Sequence, residues 1–312
     1  MTGSGRLIAV LIGTGFIFGC APRAVDPHPV SRSVQERMRG VAEYGDGDYH
    51  RALGRFTEAL RMDRASDDRK SEALDLVDIG RVYIAVNDSV SARMALSEAV
   101  KLASAEGYRE PLSEAYATLA KADLMEGDSG AALLHIDEAL KAGAALDGKG
   151  SGGKLNLKAA VFLSDNRVGE AISVFEKALS VNETAGDDGE AANSLRGLGD
   201  AAFASGDHAL SLKYYEAAYA KDKRLGLSGR IARDLSGMAE AQLRLGRKDD
   251  ALYLLERSYY VSLGGKDMSL ASRSLERMIS VYESAGDIEK ARGLKATKEG
   301  LETERNTGET RK

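Results

Sequence analysis

The sequence predicts an all-α solenoid. Three observations carry that prediction: turn residues recur every 40 positions, small and large apolar residues hold fixed places behind each turn, and three of the four prolines fall before residue 30. The chain has 312 residues, 43% hydrophobic and 29% charged, a globular balance. Ala, Leu, Lys, Glu and Arg are abundant, and these side chains lose little rotamer freedom in a helix. The 43 Lys and Arg against 48 Asp and Glu leave a net charge of −5. Binding to nucleic acid normally shows as a basic excess, so that partner class is set aside. One cysteine excludes an internal disulfide framework and a thiolate metal cluster.

The turn residues are Gly47, Asn87, Gly127, Asn166, Gly206, Gly246 and Gly286, with intervals of 40, 40, 39, 40, 40 and 40. Asn stands in for Gly twice, and Asn is the side chain that best tolerates the left-handed conformation closing a helix. Five residues on come Ala52, Ala92, Ala132, Ala171, Ser211, Ala251 and Ala291. Nine on lie Phe56, Leu96, Ile136, Phe175, Tyr215 and Leu255, and three further Ala59, Ala99, Ala139, Ala178, Ala218 and Ser258. Small, large and small at i, i+4 and i+7 share one helical face. The small residues let helices approach and the large one fills the space between neighbouring pairs. A second helical pattern precedes each turn, as in Leu195-Leu198-Gly199-Phe203. Helix, turn, helix and linker repeat seven times.

Segments such as GDYHRALGRFTEAL (47–60) and SLRGLGDAAFASGDHALSLKYYEAA (194–218) resemble the tetratricopeptide repeat family, over residues 33–298. The resemblance implies a right-handed superhelix of about seven units. The period is 40 rather than 34, so the second helix and the linker are expected to be longer, as in the kinesin light chain variety. The family's Trp and Pro are missing. In the seventh unit Lys295 and Lys298 replace apolar and small residues, as a terminal capping helix requires. The tail 299–312 is expected to be disordered.

The amino end carries Arg6, then 13 apolar or small residues from Leu7 to Gly19, then Cys20. That matches the n-region and h-region of an export signal, residues 1–19, and is short of the roughly 20 residues a membrane span needs. Gly13, Gly15 and Gly19 make a poor core helix, since each costs about 1 kcal/mol against Ala. Ile17-Phe18-Gly19-Cys20 resembles the lipobox of bacterial lipoproteins, with Phe18 where a small residue is usual. The resemblance implies a cut before Cys20 and lipidation of its sulfur. Ala21 rather than Asp after the Cys implies the outer membrane, facing the periplasm. Residues 20–32 then read as the lipidated Cys and a Pro-rich tether, extended at about 3.1 Å per residue.

A search for chemistry returns little. Gly148 to Lys154 satisfies seven places of a phosphate-binding loop, but Leu155 stands where a Ser or Thr must ligate magnesium, and no strand precedes it. A flexible connector between repeats is the preferred reading. No two of His28, His50, His135 and His208 are spaced as ligands on one helix. No enzyme, cofactor or metal is expected.

In tetratricopeptide arrays the first helix of each pair lines the concave surface. By register the resemblance implies a partner groove formed by Arg81, Lys121, Asn156, Asn193, Arg196, Asp200, Arg233, Glu240, Arg244 and Arg273. Val34, Val41 and Tyr44 make its amino-terminal end apolar. The plainer alternative is a solvated polar face with internal ion pairs such as Arg196 with Asp200. Six tyrosines fall within 214–260, and the adjacent pairs 214/215 and 259/260 cannot both point inward, which makes Tyr214 and Tyr260 candidates for a convex interface. The expected role is a lipid-anchored scaffold that binds envelope proteins or peptides and supports a membrane, secretion, pilus or cell-wall assembly. Self-association is compatible with it. The alternatives are an unanchored secreted or cytoplasmic scaffold, and a nucleotide-dependent regulator using the 148–154 loop.

Overall fold

The structure is a computed structural model that describes residues 31–144 and 150–309, with side chains to residue 303. The predicted signal, Cys20 and most of the tether lie outside the described residues. Fourteen α-helices follow in seven pairs: α1 (Arg32–Gly45) and α2 (Tyr49–Ser66), α3 (Arg69–Ala85) and α4 (Ser89–Glu106), α5 (Arg109–Glu126) and α6 (Ser129–Gly143), α7 (Ser151–Ser164) and α8 (Val168–Ala185), α9 (Asp188–Ala204) and α10 (His208–Leu225), α11 (Ser228–Arg244) and α12 (Lys248–Gly264), α13 (Met268–Ser284) and α14 (Ile288–Glu309). The described residues contain no strand. No helix among them is long and apolar enough to cross a membrane.

All seven predicted turn residues have positive φ, from 57° at Asn166 to 83° at Gly206. The residue after the turn decides how the next helix starts. Asp48, Asp88, Asp128 and Asp207 each accept the backbone N–H three residues on, whereas Arg167 and Arg247 at the same place make no such cap. Five of the six linkers are as tight as the turns within pairs: Asp67-Asp68, Gly107-Tyr108, Gly186-Asp187 and Gly226-Leu227 hold two residues and Gly265 to Asp267 three, while the linker between α6 and α7 spans 144–150 and falls mostly outside the described residues. The expectation of a longer linker is therefore corrected, since the extra residues of the 40-residue period lengthen both helices of a pair.

Each small–large–small triplet is buried: Ala52, Phe56 and Ala59 recur as Ala92, Leu96 and Ala99, and so on to Ala251, Leu255 and Ser258. The large residues reach the backbone of neighbouring helices. A Cβ on Gly80 would come within 2.6 Å of Leu96, and one on Gly237 within 2.5 Å of Tyr215. Consecutive helices pack throughout, and α3, α5, α7, α9, α11 and α13 also touch in sequence along the inner side. At the carboxyl end α14 runs past the expected boundary at 298 to Glu309, with Leu301 buried in the cluster formed by α11, α12 and α13.

Candidate functional site: the concave groove

The odd-numbered helices enclose a cavity of about 740 Å³, within the size range of ligand pockets. Tyr44 of α1, Arg81 of α3, Lys121 of α5, Asn156 of α7, Asn193, Arg196 and Asp200 of α9 and Arg233 of α11 line it. Arg233 also lines a second cavity of about 370 Å³, with Glu240, Arg273 and Arg277. Nine of the ten residues assigned to the groove thus lie in two adjoining concavities. Arg244 is the exception: it lines neither and sits over the Phe203 ring, 5.7 Å from its centroid.

Most of these side chains are committed to one another. Arg81 reaches Asp78 at 2.8 Å and Glu114 at 2.5 Å, and Lys154 reaches Glu114 at 2.7 Å. Burial would push the Glu114 carboxyl up, but Lys154 and Arg81 outweigh it and hold the group below its usual range. Asn156 is buried and donates to the backbone and side chain of Glu190, both at 3.0 Å. Asn193 donates to the same carboxylate. Glu240 takes both arms of Arg277, at 2.5 and 2.7 Å. The expected Arg196–Asp200 pair does not form. Arg196 binds Asp222 and Asp234 instead, while Asp200 accepts the Tyr215 hydroxyl. The reason is reach: the large residue of α10 points its hydroxyl into the groove, and the buried acids of the next seam claim the guanidinium.

Three groove cations, Lys121, Arg233 and Arg273, have no carboxylate within ion-pair distance among the described residues. Water reaches Lys121 and Arg233, yet walls of protein surround both. That partial burial lowers the Lys121 ammonium below its ordinary value, and the fields of Arg81 and Arg233 add to the effect. Burial likewise lowers Arg233, reinforced by Arg196, while Asp267 opposes.

Behind the groove runs a polar seam that sequence reasoning missed. Three register positions meet wherever one pair packs on the next. They are filled by Arg37, Asp63 and Asp75 between the first and second pairs, and by Val77, Ala103 and Ala115 between the second and third. Asn156, Asn182 and Ser194 fill them between the fourth and fifth, where Ser194 donates to Asn156 at 2.7 Å and Asn182 to Ser194 at 3.1 Å. Arg196, Asp222 and Asp234 occupy them between the fifth and sixth. The signal lay in the repeat itself, because Asp63, Asn182 and Asp222 share a place that Ala103 and Gly143 fill elsewhere.

Residues 151–154 are not a flexible connector. They form the first turn of α7, where a Cβ on Gly152 would overlap Asn182, and where Lys154 is spent on Glu114. Gly148 and Lys149 lie outside the described residues. On the outer side Tyr260 is 62% exposed and its ring leans on Tyr259 at 5.1 Å, whereas Tyr214 is half-buried beside the Phe162 cluster. Elsewhere, buried Asp123 holds Arg93 at 2.7 Å and His135 Nδ1 at 2.5 Å, tying α4, α5 and α6 together.

The tetratricopeptide repeat family model matches residues 153–224 and 190–261 in two overlapping stretches. Tetratricopeptide repeat protein 29 of Trypanosoma brucei brucei is 29% identical over 129 residues, 41% of this chain. The match spans 27% of that relative's length. A Rap protein complexed with Competence and Sporulation Factor superposes with a TM-score of 0.69 at 14% identity, covering 87% of this chain and 75% of that one. BtubC from P. vanneervenii superposes with a TM-score of 0.60 at 23% identity, covering 70% and 91%. The family resemblance is thus supported over residues 153–261, and the described chain as a whole shares the helical-repeat fold of the solved structures.

Proposed function

We propose that this chain is a lipid-anchored scaffold that holds a protein partner in its concave groove at the cell envelope. The observation that carries the groove is its run of adjoining cavities, from Tyr44 to Arg277, along the inner helices. Side chains from the seven inner helices converge there, joined by Phe175 of α8 and Leu255 of α12. A Rap protein of like fold is complexed with Competence and Sporulation Factor, so the fold accommodates a bound partner. The anchor rests on Cys20 at the end of an apolar run and on the prolines that follow. Two acyl chains or more would hold the protein durably at a membrane, at about 0.8 kcal/mol per buried CH₂. Partners in a secretion, pilus or cell-wall assembly fit that placement.

A photo-cross-linker at Thr118, in the groove, compared with one at Tyr253, on the outer face, tests the docking surface in intact cells. Capture of one envelope protein from Thr118 alone supports the groove, and capture from Tyr253 alone moves the interface outward. The anchor is read separately. A lipid-sized mass increase on the peptide beginning at Cys20, lost in Cys20→Ser, is expected, and an unmodified cysteine leaves an unanchored scaffold.

A further inference from the structure

We infer that a tyrosine-lined cleft on the outer face, between α12 and α14, seats the proline-rich segment 21–30 of a second copy of this chain. The inference goes beyond the concave-groove reading and does not depend on it. The cleft encloses about 630 Å³. Tyr253, Tyr259 and Tyr260 of α12 and Tyr282 of α13 wall it, together with Leu275 and Met278. The seventh pair leaves it open. Gly293 stands seven residues after its turn, where three earlier pairs carry Met94, Leu134 and Tyr253, and a Cβ there would meet no atom within 4 Å. Asp249 and Glu256 also line the cleft, and neither has a Lys or Arg within ion-pair distance among the described residues. The one cation in the lining, Lys290, lies 5.2 Å from the Tyr282 ring centroid and is held by Asp287 at 3.0 Å. The cleft is thus aromatic and short of positive charge.

That chemistry takes up a polyproline strand. Such a strand is extended before it binds, so little ordering entropy is lost, and its pyrrolidine rings pack on tyrosine faces. Its carbonyls have no partner within the strand, and Tyr253 and Tyr260, 61% and 62% exposed, bring hydroxyl donors to the rim. Residues 21–30 read Ala-Pro-Arg-Ala-Val-Asp-Pro-His-Pro-Val and hold three of the chain's four prolines. At three residues per turn, Ala24, Pro27 and Val30 share one edge of a polyproline strand, with Pro22 and Val25 beside it, an apolar side for the tyrosines. Arg23 lies on the third edge and suits Asp249 or Glu256, with Asp26 one turn, about 9 Å, further along. The segment leads into α1, five helix pairs from the cleft. At about 8–10 Å between neighbouring helix axes, that path along the outer face exceeds the roughly 31 Å that ten extended residues span. The occupant is therefore another copy's segment, in a head-to-tail contact that can recur from copy to copy.

The test uses the full chain and a fluorescein-labelled, amidated peptide of residues 21–30, titrated by fluorescence anisotropy. Two control peptides are run beside it, one with all three prolines replaced by alanine and one with Arg23→Ala. The native peptide is expected to bind, the proline-free peptide not to bind, and the Arg23→Ala peptide to bind more weakly and with less salt dependence. Gly293→Leu, which fills the cleft, is expected to weaken the native peptide at least about tenfold. Leucine favours a helix over glycine, so the melting temperature of that variant should match or exceed the wild type. Lys213→Gln, on the outer face of α10, is expected to leave binding unchanged. A photo-cross-linker at Thr297, in a mixture of isotope-labelled and unlabelled full chains, is expected to join Thr297 of one copy to residues 21–30 of the other. No binding of the native peptide, equal binding of either control peptide, an unaffected Gly293→Leu variant, or cross-links confined to single copies each overturns the inference. A partner that cross-links from Thr118 while the native peptide fails sinks this inference alone, whereas no cross-link from Thr118 with peptide binding intact sinks only the concave-groove reading.

Discussion

Two seams, four repeats apart, carry Arg, Asp and Asp at the same three register positions and resolve them differently. Between α10 and α11, Arg196 lies 2.7 Å from Asp234, also binds Asp222, and donates to Asn193 Oδ1 at 2.7 Å. Between α2 and α3, Arg37 stays 3.8 Å from Asp75, and neither Asp75 oxygen has a hydrogen-bond donor among the described residues. A proton fills the gap. Burial first, and then the facing Asp63 carboxyl, push Asp75 up to about 8, so near neutrality it is largely protonated and donates to Asp63. Burial raises Asp234 too, but Arg196 holds it lower, at about 6. The difference lies one turn earlier: Arg196 is steered by Asn193 three residues before it, and Arg37 has Val34 there. Identical charges at identical places are settled by a neighbour that aims the guanidinium.

The comparison can be broken most severely at Arg196. Arg196→Leu strands two fully buried carboxylates, and urea denaturation is expected to show a loss of about 3–5 kcal/mol. Arg37→Leu, by contrast, removes a distant cation from an acid already protonated, and should cost no more than about 1 kcal/mol. An equal loss in both would mean that the two seams share one mechanism.

The pH profile is the next largest effect. The folded Asp75 value of about 8 exceeds the roughly 3.9 of an unfolded Asp, so the folded state binds the extra proton. Its contribution is full below about pH 4 and is lost as pH rises through about 8. Urea midpoints should therefore decline from pH 5 to pH 9, and Asp75→Asn should flatten that decline. A profile identical in wild type and variant would place the proton elsewhere.

A third expectation comes from the seam between α4 and α5, where Val77, Ala103 and Ala115 fill the same three places without charge. Copying it, as Arg37→Val, Asp63→Ala and Asp75→Ala together, should be neutral or stabilising by about 1–4 kcal/mol, because three desolvated polar groups disappear at once. The smallest effect is at Asn193. Asn193→Ala should cost about 1 kcal/mol by freeing Arg196, with its full value seen only while Arg196 is present, which a double-mutant cycle reads directly.

Much of the architecture was legible in advance because it is set by local chemistry repeated seven times. Gly or Asn at each turn, and Ala–large–Ala behind it, state a helical hairpin whatever surrounds them. The linkers were misread because the 40-residue period does not say which segment holds the extra residues: Gly107, Gly186 and Gly226 marked three of them as tight turns, whereas Asp67 and Lys266 adopt the left-handed conformation without being Gly or Asn. The groove's membership was legible from register, down to Lys121 and Arg233. Its pairing was not. Arg196 and Asp200 are one helical turn apart and invite an ion pair, yet Asp222 and Asp234, buried on α10 and α11, compete for the same guanidinium in a drier place.

By itself the sequence determined the helices, their turns, the 40-residue period and the face each helix presents, since these follow from backbone conformation and side-chain size within one or two turns. Only the tertiary structure decided which charges are spent and which stand free. Lys154 and Lys121 look alike in the sequence, and Arg37 and Arg196 hold the same place in their repeats. What separates them is the set of carboxylates that other helices bring within about 3 Å, and that distance depends on how seven hairpins stack around one groove.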